Sequence, residues 1–383
     1  MDSYETIVDA IFGFGLNSCP RGIYQSVIEG MNQLYDHEVI AVDIPTGLQC
    51  NTGKPYQSVV YATKTITLSA IKNGFLNPDS RFFTGEVIVE MLDARDVGLY
   101  QMGNAKMIIP LLKERVFDGY KGTYGYTCLI TGCQEYKGAA LLSAKSCVYS
   151  GSGITTVMSD ESVINVLTQF CPEATAVLRP PVLQKDDFVK YDALLIGCGL
   201  GQSLDSYRYV IDLLEKTHQP LVIDGDALTI LSAHVDLLKN QKRDIILTPH
   251  LGEFQRLCPF QEDDDMLEIA QNFAKTHHVT LVLKGPYTIV TNGYESYRVM
   301  AGHKAMATGG MGDVLAGIIT SFLGQGYQAI QAALLGVFIH GYTGEQLAKK
   351  AYTVLPSRLI EHLPEVMDEM IKSNPKVTLE KSV

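Results

Sequence analysis

Short apolar runs that end in glycine or an acid recur along this chain, separated by longer segments with helical spacing. That alternation restricts the fold to parallel strands joined by crossover helices, an α/β architecture. In the first part, residues 6–12, 39–42, 65–69 and 87–91 read as strands, and residues 24–35 as an amphipathic helix between the first two. The pattern weakens over residues 93–107. The expected organisation is therefore a first segment over 1–95, a linker over 96–107 and a second domain over 108–383. In that domain the strand candidates are residues 127–131, 154–158, 193–196, 221–223, 245–247 and 280–283. Helices are expected over 139–150, 206–216 and 265–277. Residues 287–291 and 294–300 flank Asn292-Gly293, the dipeptide favoured in a tight type I′ hairpin.

Composition narrows the function. With 31 basic and 42 acidic residues the net charge is −11, which disfavours a non-specific nucleic-acid binder. A local loop can still hold phosphate against that field. Eight cysteines are scattered without CxxC or zinc-ligand spacing, and the opening Met1-Asp2-Ser3-Tyr4-Glu5 lacks the regions of a signal peptide. Both point to a reducing, cytoplasmic setting. The uncharged stretch 314–344 is interrupted by Gly324-Gln325-Gly326-Tyr327-Gln328, and the piece before it is too short to span a bilayer. Two buried helices, with no membrane involvement, account for it.

The strongest local signal is Ala307-Thr308-Gly309-Gly310-Met311-Gly312-Asp313, followed by an apolar helical run. Glycines before a helix let backbone amides turn inward, and the helix N-terminus favours an anion. A carboxylate at Asp313 opposes phosphate binding, so it needs another reason to be there. Taking the proton from an attacking hydroxyl is such a reason. The alternative is an acid that merely favours the first helical turn.

Four further features follow predicted strands, where open α/β sheets bind ligands. Lys284-Gly285-Pro286 follows 280–283, and its ammonium can reach phosphate; the alternative is a solvent-facing lysine. Thr248-Pro249-His250-Leu251-Gly252-Glu253 follows 245–247, with a plain helix start as the alternative. Gly197-Cys198-Gly199-Leu200-Gly201 has its third glycine misplaced for a dinucleotide fingerprint and reads as a close backbone approach to a ligand. Asp224 and Asp226 follow 221–223, with Asp226 expected to cap the next helix. No Walker A lysine pattern or nucleophile elbow is present.

With these residues in hand, residues 108–370 resemble the ADP/ATP-dependent NAD(P)H-hydrate dehydratases, a branch of the ribokinase-like superfamily. The matching runs come in the family's order: Lys121-Gly122-Thr123-Tyr124-Gly125, Tyr136-Lys137-Gly138-Ala139, then residues 197–201, 224–228, 248–253, 283–285 and 306–317. The resemblance implies a ribokinase-like parallel-sheet domain that phosphorylates the hydroxyl of a hydrated nicotinamide ring with ADP or ATP and Mg²⁺. Loss of phosphate then restores NADH or NADPH. It implies Asp313 as base, with Gly310 and Gly312 as anion-hole donors. It places Lys284, Gly285, Pro286, Tyr287, Thr288 and Gly312 against the nucleotide. Ala139, Gly199, Gly201, His250 and Asp313 would meet the hydrate. Cys198 and Leu251 stand where the family usually has proline, and Gly225 where alanine is common. A homo-oligomer is also implied.

The first part resembles the second half of a Rossmann-like NAD(P)H-hydrate epimerase domain. Residues 9–16, Val42-Asp43-Ile44-Pro45-Thr46-Gly47, Lys72-Asn73-Gly74 and 85–89 carry the match. By that resemblance Asp9 and Thr46 would ligate potassium. Gly13, Phe14, Gly15, Leu16, Asn17, Ser18 and Cys19 would touch substrate, and Asp43 would act near its ring. The family's opening helix and Asn-Asn-Gly-Gly-Asp-Gly loop have no counterpart before Met1. The expectation is thus a truncated segment with little or no epimerase activity by itself, unless another polypeptide completes it. The competing expectations for the whole chain are a kinase for a small alcohol, such as a hydroxymethylpyrimidine or hydroxyethylthiazole, and a non-catalytic nucleotide-binding subunit.

Overall fold

The computed structural model describes residues 5–34, 36–68, 71–90, 101–103, 105–261 and 264–373. The chain forms two compact units, Met1–Leu99 and Tyr100–Val383. Strand expectations at residues 69 and 91, and the helix expectation at residue 35, lie outside the described residues.

In the first unit, β1 (Thr6–Asp9), β2 (Glu38–Val42), β3 (Lys64–Leu68) and β4 (Glu86–Glu90) form one parallel sheet in chain order. Helix Ile23–Asn32 buries Ile28 and Met31 in a small core with Val39, Ala41, Val60 and Ala62. The first strand stops at Asp9, short of the expected residue 12. Beyond it the Ile11 amide turns to Asp9 Oδ1 and the Phe12 amide to Thr46 Oγ1, so the backbone donors leave the ladder for side chains.

The second unit carries ten strands: β5 (Gln101–Gly103), β6 (Tyr126–Ile130), β7 (Ile154–Ser159), β8 (Thr175–Leu178), β9 (Ala193–Ile196), β10 (Leu221–Ile223), β11 (Ile245–Leu247), β12 (Thr280–Leu283), β13 (Thr288–Thr291) and β14 (Ser296–Val299). Their order across the sheet is β5-β14-β13-β12-β11-β10-β9-β6-β7-β8. From β8 to β12 every pairing is parallel, and β13 then turns antiparallel. Chain order reverses between β6 and β9, and such a switch point opens a crevice at the carboxyl ends of the strands.

Both faces of this sheet are covered. Leu129, Leu195, Val222, Ile246 and Val282 join a core with helices Lys137–Tyr149, Met311–Gly324, Ala329–Ala348 and Pro356–Ser373. Their neighbours Ile130, Ile196, Ile223, Leu247 and Leu283 face the core shared with helices Leu204–Lys216, Asp226–Leu231, Leu251–Leu257 and Met266–His277. Strand alternation thus sends successive residues to two apolar layers, which is why these strands read as unbroken apolar runs. Helix Met311–Gly324 and most of Ala329–Ala348 are buried, which explains the uncharged stretch. No described helix is long and apolar enough to cross a membrane.

Three local expectations are corrected. Gln101–Gly103 lies inside the expected linker yet pairs in parallel with β14, an edge contact that no local sequence pattern announces. Strand β8 was not anticipated, because its residues are exposed and carry no period-2 apolar signal. At Asn292-Gly293 the hairpin forms, but Thr291 pairs with Ser296 and leaves a four-residue loop. Gly293 alone of that dipeptide takes positive φ, whereas type I′ requires it of both residues. Asn292 Oδ1 instead accepts from the Tyr294 and Glu295 amides, which organises the longer turn.

Candidate active site

Residues just past β9, β10, β11 and β12 meet the N-terminus of helix Met311–Gly324. Asp224, after β10, is buried among them. Its Oδ1 accepts from Lys284 Nζ at 2.9 Å and from Thr248 Oγ1 at 2.7 Å. Its Oδ2 accepts from the Cys198 thiol at 3.6 Å. Glu253 Oε2 stands 3.9 Å from Lys284 Nζ. Lys284 is therefore an internal cation, not the solvent-facing lysine of the alternative reading. Burial pushes its ammonium down, but Asp224 and Glu253 outweigh that and hold it above its ordinary value.

Asp313 is the third residue of its helix, and its carboxylate lies in one cluster with Cys198 and Asp224, their reactive atoms all within 4.8 Å. Burial, followed by the charge of Asp224, pushes its carboxyl up to about 7, against the opposing pull of Cys198 and Lys284. A carboxylate poised there can take a proton near neutral pH. Gly310 caps the helix at φ 94°, and a Cβ there would lie 2.6 Å from Leu142 Cδ1. A Cβ on Gly312 would lie 3.2 Å from Lys284 Nζ. The unpaired amides of the turn and the lysine cation thus share one place, which suits a phosphoryl group. Gly285, Pro286 and Tyr287 connect β12 to β13, and the Thr288 hydroxyl donates to the Gly285 carbonyl at 3.4 Å.

The residues expected against the hydrate also gather here. Gly199 takes φ 59°, and a Cβ on it would lie 2.7 Å from that of Ala139. The Gly201 amide donates to Asp226 Oδ2 at 2.8 Å. Asp226 therefore anchors the glycine loop and does not cap its own helix, whose N-cap is Gly225. His250 caps helix Leu251–Leu257: its Nδ1 accepts from the Glu253 amide at 3.2 Å, and its amide donates to Glu253 Oε2 at 2.8 Å. His250 thus opens the helix and also bridges backbone with Lys284 at the site's edge.

His340 escaped sequence reasoning. Burial first, and Lys284 second, push its imidazole down to about 4, while the ring hydrogen-bonds the Met311 backbone. Its Nε2 is buried with no hydrogen-bond partner among the described residues. A histidine directly after the apolar run 332–339 of helix Ala329–Ala348 was the available signal.

The Cys198–Asp224–Asp313 cluster does not fit Mg²⁺. Hard cations take oxygen ligands, whereas burial and the two acids push the Cys198 thiol well up, and Asp224 Oδ1 already serves Lys284 and Thr248. In the first unit, Asp9 is buried and both its oxygens accept from Thr46, Oδ2 from the amide and Oδ1 from the hydroxyl, each at 2.7 Å. Burial raises its carboxyl while these bonds pull it back. Asp43 takes φ 67°, pairs with Lys72 Nζ at 2.6 Å, and its Oδ2 faces the Gly13 position at 3.4 Å from a built Cβ. The structure brings Asp9 to Thr46 and Asp43 to Gly13; residues 14–19 form an irregular, mostly exposed loop beyond.

The family described as NAD(P)H-hydrate dehydratase matches residues 127–365, and the YjeF-related protein N-terminus matches residues 1–74. The second of these matches falls within the first unit. The ADP-dependent (S)-NAD(P)H-hydrate dehydratase of Staphylococcus aureus is 37% identical over 265 residues, covering 68% of this chain and 94% of that one. The bifunctional NAD(P)H-hydrate repair enzyme of Escherichia coli is 32% identical over 398 residues, covering 98% and 73%. The crystal structure of the Bacillus subtilis ADP/ATP-dependent NAD(P)H-hydrate dehydratase, co-crystallized with ATP/Mg²⁺, superposes with a TM-score of 0.64 at 28% identity. That similarity spans 72% of this chain and 100% of the other.

Proposed function

The chain belongs to the NAD(P)H-hydrate dehydratase family, and we propose that it repairs S-NAD(P)H hydrate at the Asp313 site, by phosphorylating the ring hydroxyl and releasing phosphate. One observation carries the assignment of roles. The amide turn at Gly310 and Gly312, the Lys284 cation and the Asp313 carboxylate lie together at the strand ends.

In this reading the terminal phosphoryl of ADP or ATP lies on the turn beside Lys284, with residues 285–288 against the nucleotide. Ala139, Gly199, Gly201 and His250 hold the hydrate. Asp313 accepts the hydroxyl proton as the new oxygen–phosphorus bond forms and AMP or ADP departs. The ring nitrogen's lone pair then expels phosphate as the carbon–oxygen bond breaks, and loss of a neighbouring ring proton restores the double bond. Water is a poor leaving group and phosphate a good one, which gives the nucleotide its purpose. Mg²⁺ would arrive on the nucleotide phosphates and neutralise their charge.

We do not extend the proposal to potassium at Asp9 and Thr46. Both Asp9 oxygens already accept from Thr46, whose hydroxyl also accepts from Phe12, whereas a hard cation asks for about six or more oxygens. The expected lack of epimerase activity draws no support from relatives matched across both units, which are named bifunctional. The R hydrate therefore belongs in the same assay.

The test is incubation of the chain with S hydrate, Mg²⁺ and either nucleotide while reduced-nicotinamide absorbance is followed. Recovery with neither nucleotide would sink the reading. The active form of Asp313 is the carboxylate, so kcat/KM should rise with pH to a plateau, with the acid limb centred near 7. A flat profile between about pH 5 and 9 would remove Asp313 as the base.

A further inference from the structure

We propose that Cys198 is a positioning residue whose thiol hydrogen holds the Asp224 and Asp313 carboxylates together across the strand ends. The proposal rests on the assignment of Asp313 as the base.

Two neighbouring carboxylates repel, and here they are not equally compensated. Asp224 has Lys284 and Thr248 on one oxygen. Asp313 shares a 4.8 Å cluster with Asp224 and Cys198. The thiol stands where a donor is needed: it is fully buried, and its Sγ is 3.6 Å from Asp224 Oδ2. Its backbone is fixed, because the Cys198 carbonyl accepts from the Gly132 amide at 2.9 Å across the β6–β9 switch. Gly197 and Gly199, at φ 123° and 59°, set the direction of the loop on either side.

The sulfur keeps its proton. Burial, then Asp224 and Asp313, push its ionisation well up, so the group is a standing donor and not a nucleophile. The groups that act on the Asp313 carboxylate come from four places: the charges of Asp224 after β10, Asp226 opening the next helix and Lys284 after β12, and the neutral thiol after β9. The first two disfavour its carboxylate, while Lys284 and the thiol favour it. Removing the thiol hydrogen therefore leaves the like charges less opposed, and Asp313 should hold its proton to higher pH.

The experiment compares pH profiles of kcat/KM for the wild-type chain, Cys198→Ala and Cys198→Ser with S hydrate and nucleotide. In Cys198→Ala the acid limb should move to higher pH, with kcat/KM about threefold or more lower near pH 6 and converging with wild type on the plateau. Cys198→Ser keeps a donor and should follow wild type. Superimposed profiles, or a Cys198→Ala loss of equal size at every pH, would overturn the proposal. Should Cys198→Ala fail to fold, Cys198→Val lacks the donor at similar volume and carries the same expectation. Carboxyl-carbon NMR of Asp313, assigned through its disappearance in Asp313→Asn, reads the titration without turnover. An upward midpoint shift in Cys198→Ala supports the role, and an unmoved midpoint rejects it. A wild-type chain without turnover would instead defeat the dehydratase reading, and the NMR comparison would still decide the thiol's role.

Discussion

Asp313→Asn should lower turnover by ~10²-fold or more while leaving the folded chain as stable as before, or more stable. The two halves of this expectation have one cause. Burial and the neighbouring Asp224 make the Asp313 carboxylate unfavourable, which is why its pKa stands near 7. Asparagine keeps the shape and removes the charge, so the repulsion goes and the base goes with it. Near pH 8 the variant should melt no lower than wild type, bind nucleotide and turn over poorly. Full activity in Asp313→Asn would rule out the base role. A large loss of stability would show that the carboxylate is chiefly structural.

Lys284→Met should damage both stability and nucleotide use. The lysine is the cation for Asp224, whose side chain is 4% exposed, and it also approaches Glu253. Removing one partner of a buried pair leaves an uncompensated charge and costs about 3–5 kcal/mol. Urea denaturation measures that cost. Adding Asp224→Asn should return part of the stability, since the stranded charge is then gone, but should not restore the nucleotide KM. Lys284 also pulls Asp313 down, so any residual activity of Lys284→Met should have its acid limb at higher pH. An unchanged nucleotide KM would separate Lys284 from the phosphates. Unchanged stability would contradict its pairing with Asp224.

The parts of this site that were legible in the sequence are those encoded by neighbours along the chain. Residues 309–313 announce a glycine turn entering a helix, and the strands ending at Ile196, Ile223, Leu247 and Leu283 announce themselves by apolar runs of strand length. Placing the following residues on one edge needed only the parallel topology. What was not legible depends on sheet register and on side-chain direction. Asp226 looks like a helix cap by position, yet its carboxylate is taken by the Gly201 amide, 25 residues away. Cys198 reads as an incidental neighbour of glycines, because its two acids come from β10 and the distant helix. His340 reaches the Met311 backbone from another helix, and β5 pairs with a strand nearly 200 residues on. In each case the partner is supplied by packing and leaves no spacing rule behind.

The central claim is that phosphate carries the ring hydroxyl away. S hydrate labelled with oxygen-18 in that hydroxyl, turned over with unlabelled nucleotide, tests it directly. The account predicts that the label appears in inorganic phosphate, one labelled oxygen for each reduced nicotinamide restored. Label released into water, with nucleotide hydrolysed separately or left intact, would contradict it.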